Sequence, residues 1–144
     1  MLVSQILNSK PAQGVETVAP DTRIFEAAEV LSARKIGSLV VSKDGDTPLG
    51  ILSERDIVRE LGRDGAVCLN GKVSDYMTAK VVTCTLDQSA DEVLETMTNG
   101  RFRHIPVMDG DKMVGLISIG DVVKARLSEL AMERDALEGM IMGN

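Results

Sequence analysis

Aromatic side chains are almost missing from this chain, which has no Trp, one Tyr and two Phe among 144 residues. A core built without them must come from Val, Leu, Ile, Met and Ala. Cysteine and histidine are nearly as scarce. Cys68 and Cys84 have no CxxC spacing, and with His104 as the only histidine no zinc-ligand set can be assembled. Two reduced, partly buried thiols are expected. Positive charge is in deficit, with 16 Lys plus Arg against 22 Asp plus Glu and a net charge of −6. Phosphate-backbone binding usually shows as a basic face, so nucleic acid is not the expected partner. No apolar run reaches the length of a membrane span, so no membrane association is expected. The N-terminus MLVSQILNSKPAQG lacks the regions of a signal peptide. A cytoplasmic location is the expectation.

What is present is a duplication. GILSERD at 50–56 returns as GLISIGD at 115–121. Asp21, Glu26, Glu29 and Val41 match Asp87, Glu92, Glu95 and Val107, each 66 residues on. Gly50, Ser53, Asp56 and Val58 match Gly115, Ser118, Asp121 and Val123, each 65 on, so the second copy has lost one turn residue. The leaders correspond too: Val3-Ser4 and Ile6-Leu7 resemble Val73-Ser74 and Tyr76-Met77. Apolar matches arise easily by chance, whereas matched polar residues and glycines on both sides of a gap do not.

Each copy predicts the order β-α-β-β-α. A short strand (Thr17-Val18; Val81-Val82-Thr83) precedes Asp21 or Asp87, placed to cap a helix start. Ile24, Ala27, Ala28 and Leu31 recur at helical spacing, as do Ala90, Val93, Leu94 and Met97. Two strands around a polar turn then form a hairpin, and Asp56 or Asp121 opens a second helix. One such unit cannot cover both faces of a three-stranded sheet, but two packed together can. The expected fold class is therefore α/β (α+β), two repeats packed as one pseudo-twofold module. The expected boundaries are 1–63 for repeat 1, 64–72 for a linker, 73–127 for repeat 2 and 128–144 for a C-terminal helical extension. In that extension Val123, Leu127, Leu130, Leu137 and Ile141 follow four-three spacing. It either meets a second subunit or frays.

The repeated pattern Gly-aliphatic-aliphatic-Ser-x-x-Asp sits where a strand ends and a helix begins. Free amides and the positive end of the helix dipole make that corner an anion site. The Ser hydroxyl can add a hydrogen bond to phosphate. The Asp cannot favour a phosphate but can accept from both hydroxyls of a ribose. The plainer alternative is capping, with Ser53 and Ser118 as N-caps and Asp56 and Asp121 completing a capping box. For one copy alone capping is the better account; two copies in matching units favour a nucleotide.

With IGSLVV (36–41) and GILSERD (50–56), then RHIPVM (103–108) and GLISIGD (115–121), the chain from about Val3 to Leu127 resembles a tandem pair of CBS domains. These are cystathionine-beta-synthase-type regulatory repeats, together called a Bateman module. The resemblance implies adenine nucleotides such as AMP, ATP or NAD(H) held in clefts between the repeats, and a disc-shaped homodimer. It assigns ribose hydroxyls to Asp56 and Asp121 and phosphate to Ser53 and Ser118. It lines the adenine slots with Val18, Ile36, Gly37, Ser38, Val82, Ile105 and Pro106.

Charge distinguishes the copies. Arg101, Arg103 and His104 stand where copy one has Lys35, Gly37 and Ser38, and Arg55 stands where copy two has Gly120. Arg55, Arg101, Arg103 and His104 are thus candidate phosphate contacts, with solvated surface the alternative for the arginines. Two unequal sites are expected, the better phosphate binder combining Asp121, Ser118 and Arg103. No nucleophile–base pair accompanies His104, so general acid–base work is not expected. The reading is a stand-alone regulatory module, not an enzyme, sensing energy or redox state for an unidentified regulated protein. A dimerisation module with vestigial pockets is the main alternative; a nucleotide-processing enzyme is a further one.

Overall fold

Short aliphatic runs bounded by turn residues become the strands. The computed structural model describes residues 1–10 and 14–142. Repeat 1 supplies β1 (Thr17–Val18), β2 (Ser38–Val41) and β3 (Gly50–Ser53), and repeat 2 supplies β4 (Cys84–Thr85), β5 (His104–Asp109) and β6 (Lys112–Ser118). The helices are α1 (Val3–Ser9), α2 (Ile24–Arg34), α3 (Glu54–Asp64), α4 (Val73–Tyr76), α5 (Ala90–Gly100) and α6 (Ile119–Ile141). The mixed α/β order expected from the sequence is present twice. Each sheet has three strands, with a parallel first pair and an antiparallel hairpin.

The two sheets share one register. Val18 pairs with Val41, and Cys84 pairs with Val107. The 66-residue offset carries Val18 onto Cys84, so the first strand of repeat 2 lies at Cys84–Thr85 and not at Val81-Val82-Thr83. The apolar Val81-Val82 pair had drawn the expectation three residues early. One face of each sheet packs on its helices, through Leu39 and Val41 in repeat 1 and Ile105 and Val107 in repeat 2. Alternation turns Ser38, Val40 and Pro106 the other way, yet these too are buried. Both faces of the strands are covered, as packing two units against each other requires.

The leaders are exchanged between the repeats. Val3 and Ile6 of α1 are buried in the core of repeat 2, beside Cys84, Val93, Met97 and Ile117. Val73, Tyr76 and Met77, around α4, pack into the core of repeat 1 with Ile24, Leu31 and Leu52. Backbone bonds fasten both: the amides of Val3 and Ser4 donate to the carbonyls of Gln88 and Leu86, and those of Val73 and Ser74 to Thr22 and Pro20.

The exchange corrects the capping expectation for Asp21 and Asp87. Arg23 and Ser89 are the N-cap residues, two positions further on. The crossing leaders satisfy the first helical amides, Ile24 donating to the Gly71 carbonyl and Ala90 to the Met1 carbonyl. The exchange also explains the repeated glycine. A Cβ on Gly115 would lie 2.6 Å from Leu7 Cδ2, and one on Gly50 would lie 2.4 Å from Met77 Sδ. Both glycines make room for the other repeat's leader.

The segment expected as a linker is ordered. Gly65–Asn70 forms a 3-10 helix that buries Cys68 and sets Leu69 against the repeat 1 core. In α6 the buried residues are Val122 and Ala125. Beyond them Leu127, Leu130, Leu137 and Ile141 are exposed. Residues 143–144 of the expected extension lie outside the described residues, as do 11–13 of repeat 1.

Candidate functional site: two clefts between the repeats

Each strand-to-helix corner forms a full capping box. Ser53 Oγ accepts from the Asp56 amide at 3.2 Å, and Asp56 Oδ2 accepts from the Ser53 amide at 2.9 Å. Ser118 and Asp121 repeat this at 3.1 and 2.9 Å. Capping is therefore realised at both corners. It does not exhaust the groups: a serine hydroxyl that accepts an amide still has its own proton to donate. The first helical amides are also spent, Glu54 donating to the Gly37 carbonyl and Ile119 to the Arg103 carbonyl. At each corner the second amide, that of Arg55 or Gly120, has no partner among the described residues and is left for an anion.

Those carbonyl bonds tie each helix start to the residue just before its own hairpin. Two clefts lie at these corners, each lined by both repeats; Asp56 lines the second, whereas Asp121 lines neither and borders the first through its bond to Lys10. The first, about 690 Å³, joins Ile36, Gly37 and Ser38 of repeat 1 with His104, Leu116 and Ser118 of repeat 2; Lys10, Val15, Glu16 and Arg34 also line it. The second, about 620 Å³, joins Ser53, Arg55 and Asp56 of repeat 1 with Lys80, Val82, Arg101, Phe102 and Arg103 of repeat 2. Both volumes suit a small-molecule ligand. The repeat matches map one lining on the other: Lys10 on Lys80 by the leader match, Glu16 on Val82 and Ile36 on Phe102 by the 66-residue offset, and Leu116 on Ile51 by the 65-residue offset.

This cross-lining corrects the expected grouping of Arg103 with Asp121. Arg103 precedes the hairpin of repeat 2, which faces the helix start of repeat 1, so it lines the Asp56 cleft. Ser118 and His104 line both clefts. Ile36 lines the first cleft, as does Ser38; Gly37 borders both, and Val82 lines the second. Val18, Ile105 and Pro106, expected at adenine, line neither. Val18 packs on the repeat 1 core, Ile105 is buried in the repeat 2 core, and Pro106 is buried within its sheet.

The carboxylates already have cationic company. Lys10 Nζ donates to Asp121 Oδ2 at 2.8 Å and to the Leu116 carbonyl at 2.9 Å. Burial pushes the Asp121 carboxyl up, but Lys10 and the Ser118 amide outweigh it and leave it below the ordinary value. Arg59 Nη2 lies 2.8 Å from Asp56 Oδ1. A ribose at either corner must share or displace such a partner. His104 is shifted down because burial disfavours its charged form; Asp121 opposes that shift, and Lys10 and Arg103 add to it.

Sequence reasoning missed Lys10, Glu16, Arg34, Arg59, Lys80 and Phe102. Lys10 and Lys80 were the most accessible of these, since they continue the leader match 70 residues apart. Among the described residues no group of three or more His, Cys, Asp or Glu side chains could hold a metal ion, and no helix is long and apolar enough to cross a membrane.

Duplicated α/β units, exchanged leaders and two cross-lined clefts define a tandem-repeat architecture. The CBS domain family profile matches residues 3–63 and 73–128, and the chain belongs to that family. It is 35% identical over 127 residues to CBSX3, a mitochondrial CBS domain-containing protein of Arabidopsis thaliana, covering 85% of this chain and 62% of the relative. The chain thus spans about three fifths of that relative's length. Among solved structures, the CBS-domain protein ATU1752 from Agrobacterium tumefaciens superposes with a TM-score of 0.81 at 46% identity, over 88% of this chain and 99% of the other. The CBS pair of MJ0100, in complex with 5-methylthioadenosine and S-adenosyl-L-methionine, gives 0.75 at 27% identity over 90% and 98%. CBSX2 in complex with AMP gives 0.70 at 26% over 88% and 96%.

Proposed function

We propose that this chain is a regulatory module that binds adenine nucleotides of the AMP, ATP or NAD(H) type and reports energy or redox state to a partner protein, without catalysing a reaction. The observation that carries this reading is the pair of cross-lined clefts. In each, a serine-capped helix start of one repeat faces the pre-hairpin residues of the other, so a ligand in a cleft touches both repeats. Such a ligand favours the relative arrangement of repeats it fits best, and a partner that senses the arrangement senses the ligand. The adenosine compounds bound by MJ0100 and CBSX2 support the ligand class.

The module acts as a homodimer in the cytoplasm. The exposed Leu127, Leu130, Leu137 and Ile141 of α6 provide apolar surface for a second copy. Buried, unpaired Cys68 and Cys84 fit a reducing compartment.

Titration calorimetry with adenosine, AMP, ATP and NADH tests the binding reading. Saturable binding of at least one compound, weakened by Asp121→Ala or Asp56→Ala, is expected. Indifference to all four at millimolar concentration would leave the clefts vestigial and the reading wrong.

A further inference from the structure

We infer that the two clefts sort adenosine ligands by charge: the Asp56 cleft takes a polyphosphate, and the Asp121 cleft takes a ligand with little or no net negative charge. This rests on the binding function proposed above and assigns a ligand class to each cleft.

In the Asp121 cleft every charge has an opposite partner. Lys10 meets Asp121 at 2.8 Å, and Arg34 meets Glu16 at 3.2 Å. The residues that take the place of Arg103 and Phe102 are Gly37 and Ile36, which carry no charge. Glu16 stands where the other cleft has Val82, so an incoming polyphosphate meets a carboxylate. One polar atom there lacks a partner among the described residues: Ser38 Oγ is buried without a hydrogen bond to any of them. A buried, unsatisfied hydroxyl costs free energy, and an uncharged hydroxyl or amine on a ligand relieves it.

The Asp56 cleft is the reverse. Arg55, Lys80, Arg101 and Arg103 line it, and none has an acidic side chain within 4.0 Å among the described residues. Arg59 is committed to Asp56 and Glu60. Against these cations stand Glu54 and Asp56. Arg101, at φ 58, ends α5 in a left-handed turn that leads the chain into the cleft. With Arg59 counted, five cations face two carboxylates, and this excess of positive charge in one concavity, on a chain of net charge −6, concentrates positive potential where a multiply charged anion gains most.

Calorimetry on the full chain, with inorganic tripolyphosphate and adenosine as separate probes, tests the sorting. Tripolyphosphate is expected to bind at one site per chain and to weaken steeply with salt, while adenosine binding is insensitive to salt. Arg103→Gly installs the residue that repeat 1 has at this position and removes one charged contact. It should cut tripolyphosphate affinity about tenfold relative to adenosine. Lys80→Gln serves as a second variant should the first not fold. Glu16→Val should raise tripolyphosphate stoichiometry from one site toward two. Adenosine binding without tripolyphosphate binding overturns the sorting and leaves the binding function standing. Tripolyphosphate binding without any adenosine compound overturns the adenosine reading and leaves a bare polyanion site. A tripolyphosphate affinity that both Arg103→Gly and Lys80→Gln leave unchanged overturns the assignment of the Asp56 cleft.

Discussion

Replacing Ile6 by alanine probes the leader exchange directly. Ile6 is 2% exposed and packs among Cys84, Val93, Met97, Ile105 and Ile117, all of repeat 2, although it belongs to the leader of repeat 1. The substitution removes three carbons, each worth about 0.8 kcal/mol in transfer out of water. The space left between α1 and the sheet collapses only in part, bringing the total to about 3 kcal/mol. A urea melt reads that loss. Thiol labelling then reads where it falls, because Cys84 sits in the repeat 2 core and Cys68 in the 3-10 helix that packs on repeat 1. Cys84 is 4% exposed, and burial pushes its thiol up to about 11, so it reacts when the repeat 2 core opens. A 3 kcal/mol loss raises the open population about a hundredfold. Cys84 labelling should therefore accelerate by that order in Ile6→Ala, with Cys68 accelerating no more than Cys84. A cost below about 1 kcal/mol, or acceleration at Cys68 with none at Cys84, would refute the exchanged packing.

Gly50→Ala places a Cβ 2.4 Å from Met77 Sδ and 3.0 Å from the Thr78 carbonyl oxygen. A thermal melt should show a loss of about 1–3 kcal/mol, whereas Gly37→Ala, whose nearest neighbour is at 3.6 Å, should stay within about 0.5 kcal/mol. Ser118→Ala removes the acceptor of the Asp121 amide and should cost about 1 kcal/mol in the same assay. His104 is held below its ordinary value of 6.5 in the folded chain, so the unfolded chain binds a proton first as pH falls. The stability this histidine contributes is present above 6.5 and lost as pH drops through its lower folded value. The melting temperature should fall in that window, and His104→Gln should flatten this part of the profile.

Periodicity and duplication made much of the fold legible. The helical spacing of Ile24, Ala27 and Leu31 marked the face that is buried. The matched turns around Gly45 and Gly110 marked the hairpins, and both glycines do adopt positive φ. The shift from a 66- to a 65-residue offset placed the missing residue in the second turn. The first strand of repeat 2 was misread because local hydrophobicity drew attention to Val81-Val82, although the repeat offset pointed to Cys84. Register outweighs a two-residue apolar run, since each strand must align with the partner it hydrogen-bonds.

The site was legible only in part, for a different reason. Ser53, Asp56, Ser118 and Asp121 are local patterns, fixed by three-residue spacing at a helix start, and the chain alone reveals them. Which cleft each corner opens onto is not local. Lys10 reaches Asp121 across 111 positions, and Arg103 joins Asp56 because two pseudo-equivalent repeats face each other and cross-line their clefts. The amino-acid sequence determined the repeat, the secondary structure and the chemistry available at each corner, because those depend on neighbours a few residues apart. Tertiary packing decided the exchange of leaders, the pairing of Lys10 with Asp121 and the division of charge between the clefts, because those depend on which surfaces of the two copies meet.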